Sequence, residues 1–163
     1  MKSTTALKIV FLGWLALAIL LTPLFLLWAD DGADVSPKWL PVVRVTIHDA
    51  DTIKGDVVLP LGVQLAGRSI RASGYNAWEV DRNRSRSAEF KGFTDEQWAT
   101  ENARGVHARD ELTKLARGGR WYIQPVDDNA AYGRIEAKLF VVVSSGRVVD
   151  VKTWATENGH VRK

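Results

Sequence analysis

The sequence contains no cysteine among its 163 residues. That absence excludes a disulfide framework and any metal site built on thiolates, and it leaves the redox compartment open. The main part of the chain also lacks an excess of positive charge, since from Ala29 onward 20 Lys and Arg face 19 Asp and Glu. Overall charge therefore gives no argument for a nucleic-acid partner, and any attraction for phosphate must be local.

Charged residues are missing altogether from residues 9–28, an apolar run of 20. As a helix this run would span about 30 Å, the thickness of a bilayer core. Two lysines precede it and three aspartates follow, which predicts that the rest of the chain lies outside the cytoplasm. We expect a single-pass membrane anchor at 1–28, a linker at 29–38 and an extracytoplasmic (periplasmic) domain at 39–163. A cleaved signal peptide, which would leave a secreted protein, and a buried soluble helix are the alternatives.

The rest of the sequence alternates short β-rich segments with one long polar helix. Thr94 and Gln97 form a capping-box pattern, which predicts that the helix begins there and ends at Gly118-Gly119. Its expected apolar stripe is Trp98, Val106, Leu112 and Leu115. Strands are predicted over 40–53, 54–65 (broken by Pro60 and Gly62), 67–75, 120–126 and within 135–151, where Ser145-Gly146 suggests a hairpin, and a short helix closes the chain.

This order of elements predicts an α+β domain that is mainly β. We expect an OB-type five-stranded barrel with an inserted helix and a short C-terminal helix, preceded by one N-terminal transmembrane helix. Closure into a barrel is favoured because it removes exposed strand edges.

Two acids stand close together in "DADT", residues 49–52. If both lay in a strand, Asp49 and Asp51 would face the same side, and carboxylate oxygens suit a hard cation such as Ca²⁺. By the same alternation His48 would point away from Asp49. A solvated β-turn is the alternative interpretation of this segment.

An arginine, an amide and a glutamate follow in "RASGYNAWE", residues 71–79. Arginine binds phosphate through paired hydrogen bonds, and a glutamate beside a bound phosphate is able to deprotonate water. A surface salt bridge from Arg71 to Glu79 or to an aspartate is the alternative. Further along, "YGR" places Arg134 at the start of a strand, which alone indicates little.

Taken in order, "DADT", "RASGYNAWE" and "YGR" resemble the staphylococcal nuclease (thermonuclease) family, over about Val43 to Val161. The resemblance implies that Asp51 is a calcium ligand and that Asp49 lies in the outer shell of the metal. Asn76 holds the position of a second liganding aspartate.

The same resemblance assigns the remaining roles. The Thr52 hydroxyl would lie near the metal, and the Ala77 carbonyl would be a backbone ligand. Glu79 would be the general base, and Arg71 and Arg134 would bind the phosphate. The implied cofactor is Ca²⁺ or another divalent cation, and the implied substrate is DNA or RNA, preferably single-stranded.

Three residues depart from the family pattern. Asn76 keeps an oxygen but removes a negative charge, so we expect weaker calcium binding or a shifted metal preference. Ala50 replaces a glycine, which matters if that position requires a positive φ. Trp78 replaces a proline that would restrain the loop before the glutamate.

These observations favour a membrane-tethered, metal-dependent endonuclease that hydrolyses phosphodiester bonds. The alternative is a catalytically degenerate module of the same fold that binds nucleic acid or a protein partner without cutting. A structural component of an envelope or transfer assembly is a third class. No individual protein partner is identifiable from the sequence.

Overall fold

Six strands and two helices make up the part of the chain that the computed structural model describes, namely residues 36, 38–81, 90–127 and 133–162. These residues all belong to the second of two units into which the chain divides, residues 33–163. In chain order the elements are β1 (Leu40–Asp49), β2 (Thr52–Val58), β3 (Gln64–Ala72), α1 (Asp95–Leu115), β4 (Arg120–Asp127), β5 (Arg134–Val142), β6 (Val148–Asp150) and α2 (Val151–Glu157).

The strands close into a barrel. Their order is β3-β2-β1-β4-β5-β6, and β3 also pairs with β5 in parallel, so that β1 to β5 form a closed ring with β6 added to β5. The predicted mainly β, OB-type barrel with an inserted helix and a short C-terminal helix is confirmed. The expected membrane anchor, 1–28, lies outside the described residues, and none of the helices described is long and apolar enough to cross a bilayer.

Two of the predicted strand boundaries are wrong. The segment 40–53 is not one strand, because the chain reverses at Ala50-Asp51 between β1 and β2. β-Branched residues on both sides of this turn concealed it in the sequence. The third strand spans Gln64–Ala72 rather than 67–75, so the segment after Ala72 is free to form the loop that carries Asn76 and Glu79.

A bulge bends β1 so that one strand can pair with both β2 and β4. Arg44 has a φ of 53°, and the register with β2 shifts between Val43 and Thr46. The Arg44 guanidinium forms an ion pair with buried Asp56, which also accepts a hydrogen bond from the Gly67 amide at 2.6 Å. The Gly67 amide, followed by the Arg44 guanidinium, lowers the pKa of Asp56. This contact ties β1, β2 and β3 together.

Helix α1 covers the barrel with a face that the sequence pattern predicts only in part. The capping box is present, because Thr94 Oγ1 accepts from the Gln97 amide and Gln97 Oε1 accepts from the Thr94 amide. Val106 and Leu115 are only half-buried, but Leu115 packs against the hydrophobic core, so the predicted stripe is wrong at Val106 alone. The buried positions follow helical spacing: Trp98, Glu101, Gly105, Ala108 and Leu112. A glutamate and a glycine on this face are not part of a hydrophobic pattern, and both act on the site described next.

Candidate active site

A polar pocket of about 420 Å³ lies over the outer surface of β2 and β3. It is cationic overall, with four basic side chains against two carboxylates. Its lining comprises His48, Asp49, Thr52, Lys54, Gly67, Arg68, Ser69, Arg71, Glu79, Gly133 and Arg134.

Strand register builds the floor of this pocket. Thr52 on β2 is paired with Arg71 on β3, and Lys54 is paired with Ser69. Ser69 is also the parallel partner of Arg134 at the start of β5. Because residues two apart on a strand face the same side, these pairs form two adjacent rows of polar side chains. The two arginines that lie far apart in the sequence are thereby brought to one surface.

The β1–β2 turn supplies a buried carboxylate. Asp51 is 2% exposed, and it accepts hydrogen bonds from the Thr52 hydroxyl at 2.7 Å and from the Ala77 amide at 2.8 Å. The Tyr75 hydroxyl donates to the Ala50 carbonyl and so supports the turn from below. Burial, together with the nearby Asp51 and Asp49 carboxylates, raises the pKa of Tyr75 well above its ordinary value, so the hydroxyl stays protonated as a donor.

Arg71 joins this carboxylate to the amide on the following loop. Its Nη2 lies 3.3 Å from Asp51 Oδ2 and donates to Asn76 Oδ1 at 2.9 Å. The alternative considered for Arg71, a salt bridge to an aspartate, is therefore present. The same side chain also lines the pocket, so the ion pair fixes its guanidinium there.

Asp49 is the second acid of the turn, and its charge is disfavoured. Burial, followed by repulsion from the Asp51 carboxylate, raises the pKa of Asp49 to about 8. The Asp51 amide donates to Asp49 Oδ1 at 3.3 Å, which keeps the two residues folded against each other. Both effects act against the charged form of Asp49, and a nearby cation would oppose them.

Glu79 is held in place through its backbone by helix α1. Glu101, only 4% exposed, accepts a hydrogen bond from the Glu79 amide at 3.0 Å. Glu101 also lies 3.4 Å from the Arg162 guanidinium, so its buried charge is compensated. One turn further along the helix, a Cβ on Gly105 would lie 2.5 Å from the Glu79 carbonyl oxygen. The loop approaches the helix as closely as it does because residue 105 has no side chain.

The chain terminus holds the other side of the same loop. The Arg162 amide donates to the Asn76 carbonyl at 2.9 Å, and Ala77 forms an antiparallel bridge with Val161. The Trp78 indole donates to the Gly159 carbonyl at 3.3 Å, while the Arg104 guanidinium lies 4.6 Å from the centre of the Trp78 ring. Trp78 thus restrains the loop by tertiary contacts in place of a proline ring.

The oxygens of Asp51 and Asn76 converge on one positively charged nitrogen of Arg71. A carboxylate and an amide placed in this way fit a hard cation, and a divalent ion would also relieve the repulsion between Asp49 and Asp51. Within the described ranges no three acidic or histidine side chains form a metal-binding group. A cation here would therefore depend on amide, hydroxyl or backbone oxygens beside the two aspartates.

The structure brings the predicted residues together. Asp49, Thr52, Arg71, Glu79 and Arg134 line one pocket. Asp51 and Asn76 do not line it but contact Arg71 directly, and the Ala77 amide donates to Asp51. Tyr132 of the "YGR" motif lies outside the described residues. Ala50 is not among the described residues with positive φ, so alanine fits the turn without backbone strain.

The prediction for His48 is wrong, and three basic or polar residues were not predicted. His48 lines the pocket together with Asp49 because an irregularity between Ile47 and Asp49 interrupts the alternation of β1. Lys54, Arg68 and Ser69 also line it. Lys54 and Ser69 could have been found by extending the period of two from Thr52 and Arg71 along their strands.

Comparison with known proteins adds no family assignment. No protein-family profile matches the chain, and no curated protein matches it.

Proposed function

We propose that this protein is a metal-dependent endonuclease of the thermonuclease type, which hydrolyses phosphodiester bonds of single-stranded DNA or RNA. The observation that carries the proposal is the convergence of Arg71, Arg134 and Glu79 on one cationic pocket beside the buried Asp51. The resemblance of three sequence motifs, in order, points to the same chemistry. The excess of basic side chains in the pocket provides the local attraction for phosphate that the overall charge lacks.

Each residue has a role that follows from its position. Arg71 and Arg134 hydrogen-bond the phosphate oxygens and stabilise the charge that builds up on them during displacement. Glu79, whose backbone is fixed by Glu101, accepts the proton of the attacking water while the bond to the leaving strand breaks. Lys54 and Arg68 extend the positive surface along the strand that is bound.

Asp51 and Asn76 would hold the cation, most simply Ca²⁺, with Thr52, the Ala77 carbonyl and Asp49 nearby. When bound, such an ion supplies positive charge that polarises the phosphate. Asn76 contributes an oxygen without a charge, which predicts weak metal binding.

The apolar run at residues 9–28 supports a location at a membrane. We propose that it anchors the chain by a single pass and that the domain lies outside the cytoplasm, in the periplasm if the cell has two membranes. Cleavage of the segment would release the domain as a secreted protein.

The function is tested with the full chain in a neutral detergent and end-labelled oligonucleotides of DNA and RNA. We expect Ca²⁺-dependent internal cleavage of both single-stranded substrates, with slower cleavage of a duplex because its phosphates are less able to enter the pocket. Products resolved by denaturing electrophoresis provide the measurement. Cleavage that persists in excess chelator would contradict the metal dependence, and cleavage only from strand ends would contradict an endonuclease.

A second candidate function is nucleic-acid binding without cleavage. It is favoured by Asn76, which lowers the charge available for a metal, and by Arg71, which is already paired with Asp51.

Replacing Asn76 with aspartate separates the two functions. If the wild type is an active nuclease, we expect Asn76→Asp to lower the Ca²⁺ concentration needed for half-maximal cleavage, by about tenfold for roughly 1.4 kcal/mol of added binding energy. A wild type that binds but never cuts, with a variant that does cut, would favour the binding module.

A further inference from the structure

A second pocket, of about 330 Å³, shares no lining residue with the first. It is formed where the end of β3 meets β5 and the start of α2. The polar groups facing it include Ser73, Lys138, Lys152 and Thr153. Ser73 lies within "RASGYNAWE", but none of these four residues has a role in the site proposed above.

The two lysines give this pocket its chemical character. Within the described residues neither Lys138 nor Lys152 takes part in an ion pair. The one carboxylate that lines the pocket, Asp150, accepts a hydrogen bond from the Thr153 amide at 2.9 Å and caps α2. With the charge of Asp150 counted against the two ammonium groups, the pocket keeps a net positive charge that can receive an anion.

Gly74 makes room for one of these ammonium groups. The Lys152 Nζ lies 2.8 Å from the place that a Cβ on Gly74 would occupy, and Gly74 has a φ of 81°. Any L-residue at this position would be strained and would push the lysine away from the pocket. At Gly74 the loop therefore has a left-handed backbone conformation, and the Lys152 ammonium group comes close to that backbone.

The second pocket is continuous in the chain with the first. Arg71 lines the first pocket, and the next two residues, Ala72 at the end of β3 and Ser73 beyond it, line the second. Tyr75 connects them as well, since it lines the second pocket and its hydroxyl donates to the Ala50 carbonyl, between the two acids of the turn. A polymer with regularly spaced negative charges is the ligand class that can fill both.

We propose that the second pocket binds a backbone phosphate of a single-stranded nucleic acid, at least one nucleotide away from the bond that is cut. The inference rests on the proposed function for its substrate class, but its test does not require cleavage. Lys138 and Lys152 contact the phosphate, and the Ser73 and Thr153 hydroxyls are available as further donors.

Binding is measured with the full chain in detergent, in chelator, by the fluorescence anisotropy of a labelled single-stranded ten-nucleotide DNA over a range of salt concentrations. We expect the double variant Lys138→Gln/Lys152→Gln to bind more weakly, and its salt dependence to be shallower by about 0.7, because contact with one phosphate is lost. The matched control is Lys114→Gln, an exposed lysine on α1 that lines neither pocket, which should bind as the wild type does. Equal affinity and equal slope for the double variant and the wild type would overturn the proposal, as would failure of the wild type to bind.

Cleavage kinetics then show where on the substrate the lysines act. With Ca²⁺, the double variant should show a raised KM for the ten-nucleotide DNA and an unchanged kcat/KM for a chromogenic phosphodiester that carries a single phosphorus. An equal loss on both substrates would overturn a distant phosphate contact. If the wild type binds but cuts neither substrate, the nuclease proposal fails, while the anisotropy result still decides the fate of the second pocket.

Discussion

Replacing Glu79 with glutamine is expected to lower kcat for oligonucleotide cleavage by about 10²–10⁴-fold, because an amide cannot accept the proton of the attacking water. Affinity for the oligonucleotide in chelator should be retained or slightly increased, since one negative charge leaves the cationic pocket that we propose binds phosphate. The fold should persist, because the backbone amide of residue 79, rather than its side chain, makes the bond to Glu101. Single-turnover cleavage assays and anisotropy on the same preparations provide the two measurements.

Glu157→Gln is the matched control for this substitution. Glu157 is exposed at the end of α2 and lines neither pocket, so its variant should cut at the wild-type rate. A Glu79→Gln variant that cuts as fast as the wild type would remove Glu79 from the mechanism, whatever its position in the pocket.

Replacing Gly105 with alanine is expected to lower the free energy of unfolding by about 1–3 kcal/mol, as overpacking typically does. Helix propensity alone would predict a gain in stability, because it favours alanine over glycine by about 0.8–1 kcal/mol in a helix. The added methyl group would lie 2.5 Å from the Glu79 carbonyl oxygen and 2.9 Å from that of Trp78, so the loop must move away from α1. The free energy of unfolding, measured by denaturant titration, should fall. The value of kcat/KM, measured under conditions where the variant is fully folded, should fall as well.

Ala103→Gly provides the control in the same helix. Residue 103 is exposed, so this variant should lose about 1 kcal/mol through propensity alone and keep the wild-type kcat/KM. A Gly105→Ala variant that gains stability and cuts normally would show that the close approach of the loop to α1 has no bearing on the position of Glu79.

Sequence reasoning reached the site because its residues are concentrated at the ends of elements whose types are easily recognised. The barrel follows from short β-rich segments with one capped helix between them, and Thr94 and Gln97 locate the start of that helix correctly. Placing Arg71 and Arg134 on one surface required the parallel pairing of β3 with β5, which no local pattern reveals. The order of the motifs and their resemblance to a family provided this long-range information, which hydrophobic periodicity does not contain.

The remaining features depend on tertiary contacts. Glu101 looks like a solvated helix residue in the sequence, but it is buried because both the Glu79 amide and Arg162 converge on it. His48 faces the pocket only because β1 is irregular beside it. In the sequence, Trp78 appeared to remove the restraint that a proline would give the loop. In the structure, its indole donates a hydrogen bond to the Gly159 carbonyl, 81 residues further along the chain. Such contacts are set by elements that meet only after the barrel has closed.

In the proposed site, a cation held beside Asp51 and a phosphate held by the two arginines meet in one pocket, and a reversible chelation time course tests this arrangement. The full chain is mixed with single-stranded DNA and Ca²⁺, chelator is added midway, and excess Ca²⁺ is then restored. We predict that internal cleavage starts with Ca²⁺, stops with chelator and resumes when Ca²⁺ is restored. The Asp51→Asn variant should show no cleavage at any stage, because the substitution removes the only buried carboxylate of the described turn. Steady cleavage through the chelator phase, or wild-type behaviour of Asp51→Asn, would contradict the account.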